Sequence, residues 1–548
     1  MGTKDYTEGD ADIVNFRILP DGTLKKRSAY RKLSSLPTEI RAVWAGKLDG
    51  ESAFFALAGN NVYFIEPDSG ASTLISKIPN SGKRAEFFYY QCSLFLIDGN
   101  DIYSVNKNDV RFAVGYAPLI GKDWREDEIG KINEPRNILT RRARITYLIE
   151  KSTASTLYTD GAVSSIEAVY VNGALLSSDK YMISSTPGIV IVSGLKQNDR
   201  VELYFTYASG ISAENLKANT RAAVFGGISN SRPFLFGGDD GAVMYSGAHV
   251  SGSSLADCRK VYPDSDAIYF PLAYEFTVGD GRYPICAVGR HFDRLLIFTE
   301  GGVWMADSSS CGIEDFPVMS INTSTAIVSH GSIAMMGNSP CAVGKNGVYA
   351  YTANTDELDE CNAYSISDSV LSFLSEDILK NGGLYHHGKT DELLLYSPGT
   401  DTVWAYSVPT SRWTRYTGLH ADRFFDLEGE AAFTDKESIF VFDESLGADE
   451  NERNVQAYVL THPISFSTAR KKRLSYAAAE FSGGDISEEL YFDGEDAPSL
   501  SLSLRGDEKI DPVRRKRISA RRFNSVSAKI SADGLTQQRI ISARLGTK

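Results

Sequence analysis

A short phrase recurs along this chain: an apolar stretch, a turn rich in Gly, Asn or Asp, and a β-branched residue followed closely by an aromatic. Turns of this composition between apolar runs are the strongest short-range signal for a β-hairpin. The β-branched residues that mark the seven copies are Val62, Ile102, Val243, Val303, Val348, Val403 and Ile439. A lone hairpin cannot bury its apolar face, so the series predicts one repeating architecture whose units pack on each other.

The spacing of the copies is that of a β-propeller with one insertion. Five of the six intervals between marker residues lie between 36 and 60 residues, and propeller blades take roughly 40–50 residues each. The interval from Ile102 to Val243 is 141 residues. Inside it, residues 117–218 hold short apolar or alternating runs between turn signals, the pattern of a small antiparallel sandwich. We therefore expect an all-β fold: a six- to seven-bladed β-propeller with an inserted small β-sandwich domain and a C-terminal β-domain.

The length of 548 residues agrees with several domains. Helix patterns are scarce, and they predict one short helix around Val370–Leu379 and a second near Leu216. The predicted domains are an N-terminal arm with the first blades in 1–116, the inserted sandwich in 117–218, the remaining blades in 219–455 and a basic β-domain in 456–548.

The sequence lacks the marks of a membrane protein or of a disulfide-bonded secreted protein. No apolar run approaches the length of a membrane span, and the N-terminal MGTKDYTEGDADIVNF has no hydrophobic signal segment. We therefore expect a soluble protein that is not exported by a signal peptide. The six cysteines are far apart and show no zinc-binding spacing, which predicts reduced core thiols. They are Cys92, Cys258, Cys286, Cys311, Cys341 and Cys361.

Charge is distributed unevenly along the chain. The 57 Lys and Arg residues stand against 70 Asp and Glu residues, a formal net charge of −13. From Gln456 to the end, 16 basic and 11 acidic residues give +5, which leaves −18 for residues 1–455. A body this acidic repels a phosphate backbone, so the chain is a poor candidate for gripping nucleic acid.

Two basic clusters in the tail are the candidate functional residues. One interpretation is a nucleic-acid patch. The clusters alternate with strand-like stretches, however, and cations on a β-domain also guard sheet edges or dock on an acidic neighbour. We therefore predict an inter-subunit interface or a guarded edge. Its members are Arg470, Lys471, Lys472, Arg473, Arg514, Arg515, Lys516 and Arg517.

Residues of the kinds that build catalytic and metal sites are present without the required patterns. His386 and His387 are adjacent, so in a strand they would point to opposite faces and could not share a metal ion. No nucleophile elbow and no phosphate-binding loop occurs. The acidic pairs Asp239–Asp240 and Glu357–Asp359 lack a calcium loop and are predicted to be turn residues. We therefore predict no catalytic, metal-binding or cofactor-binding residue, and no enzyme.

Several large aromatic residues follow the turns of the recurring phrase. Their positions favour blade cores over binding hot spots. They are Trp304, Trp404, Trp413, Tyr349 and Tyr351.

Motifs along nearly the whole chain resemble, in order, those of β-propeller tail proteins of tailed bacteriophages. The opening NFRILPDGTLKKRSAYRKLSS resembles the segment that introduces their first blade. The inserted NEPRNILTRRARITY, followed by SSIEAVYVNGALLSSDKYMI and NDRVELYFTYAS, resembles their small β-domain. The closing ISFSTARKKRLSYAAAEF and SARRFNSVSAKISADG are similar to a terminal β-domain of such proteins.

This resemblance implies a structural virion protein of the tail nozzle or tail hub family. Members form rings, usually of six copies, that extend the DNA conduit below the portal and adaptor, retain packaged DNA and release it at infection. The implied partners are further copies of the chain, portal and adaptor proteins, tail fibres, and passing genomic DNA without specific binding. The resemblance implies no cofactor and no membrane partner, and places the protein in the phage tail after synthesis in the host cytoplasm.

Two other classes stay open at this point. A propeller-based tail protein can instead bind a receptor or degrade a glycan at the mouth of its central channel. A cellular scaffold propeller is the third class. Oligomeric state distinguishes the nozzle from the first of these classes, because the nozzle forms rings and a glycan-degrading protein cleaves a polysaccharide as a monomer or trimer. Neighbouring portal, capsid and adaptor genes distinguish a virion protein from a cellular scaffold.

Overall fold

The computed structural model describes most of the chain as strands and tight turns, which confirms the predicted all-β class. The described residues are 3–5, 11–79, 81–153, 155–226, 231–238, 241–247, 254–291, 294–307, 317–322, 333–351, 363–450, 453–466, 470–506, 514–518, 522–532 and 534–547. They divide into two compact units. The first unit takes the described residues of Met1–Ile40, Ile65–Ser72 and Asn322–Lys548, and the second takes those of Arg41–Phe64 and Thr73–Ile321.

Five short strands open the chain, and two four-stranded sheets follow. The opening strands are β1 (Thr3–Asp5), β2 (Ala11–Val14), β3 (Phe16–Ile18), β4 (Leu24–Lys26) and β5 (Ala29–Ser35). The first sheet is β6 (Ile40–Leu48), β7 (Glu51–Ala58), β8 (Asn61–Ile65) and β9 (Ser72–Lys77). The second is β10 (Glu86–Tyr90), β11 (Ser93–Ile97), β12 (Ile102–Val105) and β13 (Val110–Phe112).

The sequence that interrupts the repeats forms a module of two sheets. Its strands are β14 (Leu119–Trp124), β15 (Arg142–Leu148), β16 (Thr156–Tyr158), β17 (Val163–Val171), β18 (Ala174–Leu175), β19 (Tyr181–Ile183), β20 (Ile189–Val192) and β21 (Arg200–Tyr207). One sheet has the order β14-β15-β21-β17-β18 and the other β16-β20-β19. Buried residues from both sheets, among them Trp124, Tyr147, Val190 and Phe205, form one core. All eight strands lie within the predicted range 117–218.

Two further four-stranded sheets complete the second unit. The first is preceded by α1 (Glu214–Lys217) and contains β22 (Arg221–Phe225), β23 (Arg232–Phe236), β24 (Ala242–Tyr245) and, after α2 (Leu255–Arg259), β25 (Glu275–Thr277). The second contains β26 (Ile285–His291), β27 (Arg294–Thr299), β28 (Gly302–Asp307) and β29 (Val318–Asn322). Helix α1 lies where the sequence predicts a short helix near Leu216.

The segment around α2 fastens the inserted module to its own unit. The Tyr262 hydroxyl donates to the carbonyl oxygens of Ala143 on β15 and Phe205 on β21, at 3.2 and 3.0 Å. The Tyr269 hydroxyl donates to the Pro135 carbonyl at 2.8 Å. Because the two tyrosines are buried and bonded to backbone, they tie the module to the segment after β24.

Three more sets of strands in the first unit continue the repeat. The first is β30 (Ile333–Met336), β31 (Ser339–Gly344), β32 (Gly347–Tyr351) and β33 (Ala363–Ser365). After α3 (Glu376–Asn381), the second is β34 (Gly383–His387), β35 (Glu392–Tyr396), β36 (Thr402–Ser407) and β37 (Arg412–Thr417). The last is β38 (Arg423–Leu427), β39 (Glu430–Asp435) and β40 (Ser438–Asp443), which β5 completes by pairing antiparallel with β40. The described chain thus holds seven sets of four strands, hydrogen-bonded in sequence.

The predicted helix around Val370–Leu379 is displaced toward the C-terminus. Leu371–Phe373 form a single 3₁₀ turn, and Leu374 is extended with ψ of 126°. Helix α3 then begins after Ser375, whose hydroxyl accepts a hydrogen bond from the Ile378 N–H at 3.2 Å. The serine cap therefore sets the start of the helix, and the apolar spacing that predicted it spans two separate elements.

The remaining strands form a C-terminal module that includes the start of the chain. They are β41 (Ala448–Asp449), β42 (Arg453–Asn454), β43 (Ala457–Thr461), β44 (Leu474–Ser482), β45 (Ile486–Phe492), β46 (Leu500–Leu504), β47 (Arg514–Arg517), β48 (Val526–Ala532) and β49 (Arg539–Thr547). One sheet has the order β3-β4-β49-β44-β47, with β1 also on β49. The other continues from β37 through β2, β43, β48 and β45 to β46.

The strands at the start of the chain share the core of the C-terminal module. Ile13, Phe16, Ile18 and Leu24 are buried in the same cluster as the apolar residues of β43–β49. Strands β2–β4, from the range predicted to hold the N-terminal arm and the first blades, therefore share a core with strands of the range predicted as the C-terminal β-domain, 456–548. Strand β5 of the arm completes the last set of the repeat, and β2 pairs in parallel with β37 of the set before it.

Candidate interaction surface

The two basic clusters predicted from the sequence meet at one end of a single sheet. Strand β47 is the last strand of its sheet and pairs antiparallel with β44, with Arg517 opposite Tyr476 and Arg514 opposite Ala479. The other cluster leads directly into β44, which begins at Leu474. Antiparallel pairing therefore brings Arg517 and Arg473 to the same end of the sheet, a few residues apart along the strands.

Six cations at this place project into solvent, and we call them the basic edge. Within the described part of the chain, none of them forms an ion pair with a carboxylate. Other cations of the module are paired, for example Lys529 with Glu489 at 3.7 Å and Arg539 with Asp21 at 2.5 Å. The basic edge consists of Arg470, Lys471, Arg473, Lys516, Arg517 and Arg522. Arg514 and Arg515 lie in the same strand.

Lys472 does not belong to the exposed surface that the sequence predicts. Its exposed fraction is 8%, and its Nζ donates to the Ser465 carbonyl. Its backbone N–H and C=O are both bonded to Phe523, at 2.8 and 3.0 Å. Lys472 therefore holds its segment to the module, and its charge is not presented to a partner.

A tyrosine covers the sheet beside the basic edge. Tyr476 stands opposite Gly546 of β49 on one side and Arg517 on the other. A Cβ atom at Gly546 would lie 2.0 Å from Cε1 of the tyrosine, so only glycine allows the ring to lie this close to the backbone. The result is an aromatic surface flanked by guanidinium groups, a combination enriched at protein interfaces.

A second polar site lies in the interior of the first unit. The guanidinium of Arg17 contacts Glu392 through Nε at 3.2 Å and Glu444 through Nη1 at 2.9 Å. The Tyr416 hydroxyl donates to Oε1 of Glu392 at 2.7 Å. These groups and His387 line a small cavity, about 20 Å³ for the centre of a water-sized sphere, which is room for one water molecule.

The ionisable groups that line this cavity have a structural role. Burial raises the pKa of Glu392, against the attraction of Arg17. Burial and the neighbouring Glu392 carboxylate raise the pKa of Tyr416 well above its ordinary value, so the phenol is neutral and donates a hydrogen bond to the carboxylate. A buried phenol in this state joins β35 to β37 and offers no ionised oxygen for nucleophilic attack.

His387 makes this cavity sensitive to acid. Burial, together with the nearby cations Arg17 and Lys389, lowers the pKa of His387 to about 4. Its Nδ1 lies 3.0 Å from Oγ1 of Thr390, and its Nε2 has no hydrogen-bond partner among the described residues. The unfolded chain therefore takes up a proton near the ordinary histidine pKa, before the folded chain does.

We expect the stability of the first unit to fall as the pH is lowered from about 6.5 to about 4, by up to about 3 kcal/mol from this one group. His387→Gln should reduce this dependence, which urea denaturation across that pH range measures. His462→Gln, at an exposed histidine, is the matched control. Equal pH dependence in wild type and His387→Gln would contradict the assignment.

The other residues that the sequence singles out fall at separate places. His386 and His387 are neighbours on β34; Nε2 of His386 meets Asp391 at 2.9 Å, while His387 is turned to the interior. Trp404, Trp413 and Tyr351 are buried, whereas Trp304 and Tyr349 are half-buried. Cys258, Cys286 and Cys341 are buried and Cys92 is exposed. Cys311, Cys361, Asp239–Asp240 and Glu357–Asp359 lie outside the described residues.

Two further kinds of site are absent from the described residues. No three His, Cys, Asp or Glu side chains in them are placed to hold a metal ion. No helix among them is long and apolar enough to cross a membrane.

Comparisons with known proteins give distant structural likenesses. No protein-family model matches the sequence, and no curated protein matches it. A chain from a crystal structure of the mitotic checkpoint complex is 10% identical, with 71% of this chain and 86% of that chain covered and a TM-score of 0.34. The AfRom2 CNH domain is 7% identical, with 76% and 99% covered and a TM-score of 0.38. The extracellular domain of the one-component system BT4673 from B. thetaiotaomicron is 11% identical, with 96% and 62% covered and a TM-score of 0.28. At these scores the likenesses carry no argument about function.

Proposed function

We propose that this chain is a structural protein of a phage tail whose copies assemble into a ring around a DNA conduit, as a tail nozzle or hub. In this proposal, the seven sets of strands are the blades of one β-propeller, and β5 closes the last blade. The observation that carries the proposal is the basic edge. Six exposed cations that form no ion pair with any described carboxylate favour a partner of opposite sign.

The charge distribution supports a second copy of the chain as that partner. Residues 1–455 carry −18 and the tail from Gln456 carries +5. A ring of identical subunits needs head-to-tail contacts between two different surfaces, and opposite charge on the two surfaces selects that arrangement. An acidic body also suits a conduit, because it keeps the phosphate backbone of passing DNA at a distance.

Neutralising the basic edge should abolish ring formation and leave the fold intact. The variant replaces Arg470, Lys471, Lys516 and Arg517 with Gln. Light scattering and negative-stain electron microscopy of the purified protein measure assembly, and far-ultraviolet circular dichroism measures the fold. We expect wild-type rings to weaken as salt rises, because exposed charges are screened.

The matched control removes four exposed cations from the inserted module, so that the net charge changes equally. Lys122, Lys131, Lys196 and Arg200 are exposed there, and their replacement with Gln should leave the rings unchanged. Rings that survive the first set of substitutions would overturn the role of the basic edge. A wild-type monomer or trimer that cleaves a polysaccharide would overturn the proposed function in favour of a glycan-degrading tail protein.

A further inference from the structure

A carboxylic acid is built into the core of the C-terminal module. On β45, Ile486, Leu490 and Phe492 are buried in the core, and Glu488 lies between them on the same alternating face. The exposed fraction of Glu488 is 2%. The intervening residues Ser487, Glu489 and Tyr491 lie on the other face and are half-buried.

The surroundings of this carboxyl group are apolar. Its direct neighbours in the sheet are Leu502 on β46 and Ile530 on β48, both buried. In the other sheet of the module, the small apolar residues Ala477 and Ala479 of β44 belong to the same core. Oε1 of Glu488 is buried and has no hydrogen-bond partner among the described residues.

Among the side chains that the structure describes, no charged group on the surrounding strands compensates it. Those on β44, β48 and β49 alternate with core residues and so belong to the outer face. Those on β2, β3 and β4 have other partners: Asp12 pairs with Arg415, Arg17 with Glu392, and Lys25 with Glu444. Lys26 donates to Gly534 and Asn454, and Lys472 to Ser465. Strand β46 carries no charge, and Lys516 of β47 is exposed. The outer-face groups are Glu480, Glu489, Lys529, Arg539 and Arg544.

We propose that Glu488 makes the C-terminal module a pH-dependent element, closed while the carboxyl group is protonated and opened more readily as it ionises. An ionised carboxylate in apolar surroundings without partners is strongly unfavourable, so the closed module holds the neutral acid. Burial raises the pKa of Glu488 to about 8. In the opened module the group has its ordinary pKa, so opening releases a proton at neutral pH.

The difference in the pKa of Glu488 between the closed and the open module determines how the stability of the module changes with pH. A raised pKa in the closed state means that the closed module binds more protons than the open one between about pH 4.5 and 8. The module is therefore most stable at the acidic end of this window and loses stability as pH rises, up to about tenfold in the opening equilibrium per pH unit. Strand β47 pairs with β44 of the same module, so opening also loosens the basic edge.

Hydrogen exchange of the full-length protein tests this inference. After correction for the intrinsic pH dependence of exchange, we expect the opening equilibrium of β45, β46 and β48 to be about 100-fold larger at pH 7.5 than at pH 5.5. In Glu488→Leu and Glu488→Gln, this ratio should fall close to one. Glu489→Gln, at the adjacent outward position, should keep the wild-type ratio.

The two substitutions at Glu488 protect the test against a folding defect. Leucine matches the apolar surroundings, and glutamine keeps the shape of the side chain without its charge. A wild-type module with equal opening at both pH values would overturn the proposal, and so would a Glu488→Leu variant with the wild-type ratio. The inference concerns a single chain and does not depend on the proposed function, because ring formation is not part of the measurement.

Discussion

Replacing Asp449 with Asn should lower the free energy of unfolding of the first unit by about 3–5 kcal/mol, because Arg27 then stays buried without its countercharge. The side chains of Arg27 and Asp449 are 2% and 3% exposed. Two hydrogen bonds join them, from Nη1 to Oδ1 at 3.0 Å and from Nη2 to Oδ2 at 2.6 Å. Urea denaturation of the full-length chain, with hydrogen exchange over β4, β5 and β41, measures the loss.

The further hydrogen bonds of this pair explain why its loss should destabilise several neighbouring segments. Nε of Arg27 also donates to Asn15, and Nη2 reaches the Thr417 carbonyl at 3.3 Å. Oδ1 of Asp449 accepts a further bond from the Tyr30 N–H at 3.2 Å. The pair thus joins the segment between β4 and β5 to the end of β37 and to β41.

A double-mutant cycle separates the pair from its neighbours. Arg27→Met alone should also destabilise strongly, since it leaves the Asp449 carboxylate buried and unpaired. The double variant Arg27→Met/Asp449→Asn should lose less than the sum of the two single losses, because no unpaired buried charge remains. A loss below about 1 kcal/mol for either single variant, or strict additivity, would contradict the assigned role.

The hairpins of the fold could be predicted from the sequence because each is formed by residues that are close together along the chain. The Asp49–Gly50 turn between β6 and β7 and the Asn172–Gly173 turn between β17 and β18 have positive φ at both residues, as Asp-Gly and Asn-Gly turns favour. The inserted module could be recognised from the unusually long interval between the marker residues Ile102 and Val243. These features depend on neighbours within a few dozen residues.

The parts that the sequence did not indicate depend on pairing over very long distances. Strands β2–β4 are three or four residues each, too short to show a period, and both β2 and β4 pair with strands near the opposite end of the chain. The contacts of Arg17 with Glu392 and of Arg27 with Asp449 likewise join residues that are far apart in the sequence. No local pattern identifies such partners.

The candidate residues themselves were partly predictable. Charge clustering singled out the stretch that contains the basic edge, but counting charges does not show that Lys472 is turned inward. Alternation offered a signal for Glu488, since Ile486, Leu490 and Phe492 define the core face of ISEELYF and Glu488 shares it. That signal requires knowing that β45 is a strand with one buried face, which its composition alone does not establish.

Phe16→Ala should destabilise the C-terminal module by about 3–5 kcal/mol, although the residue lies near the start of the chain. Phe16 is fully buried among residues of β43–β49, and its strand β3 pairs with β4, which in turn pairs with β49. Truncation removes its apolar contacts and leaves a cavity in a core that the module's own strands cannot refill. Urea denaturation measures the total loss.

Hydrogen exchange shows where that loss falls. If the N-terminal strands are part of the core, protection in Phe16→Ala should drop over β44, β48 and β49, the strands that enclose the same cluster. Phe373→Ala is the matched control, because Phe373 belongs to the same unit and is 70% exposed; it should change stability by less than about 0.5 kcal/mol. Exchange that rises only over β3 and β4 would mean that the strands lie on the module without supporting it. A loss shared by β44, β48 and β49 would make both ends of the chain one folding unit, so that the basic edge forms only when the N-terminal strands are in place.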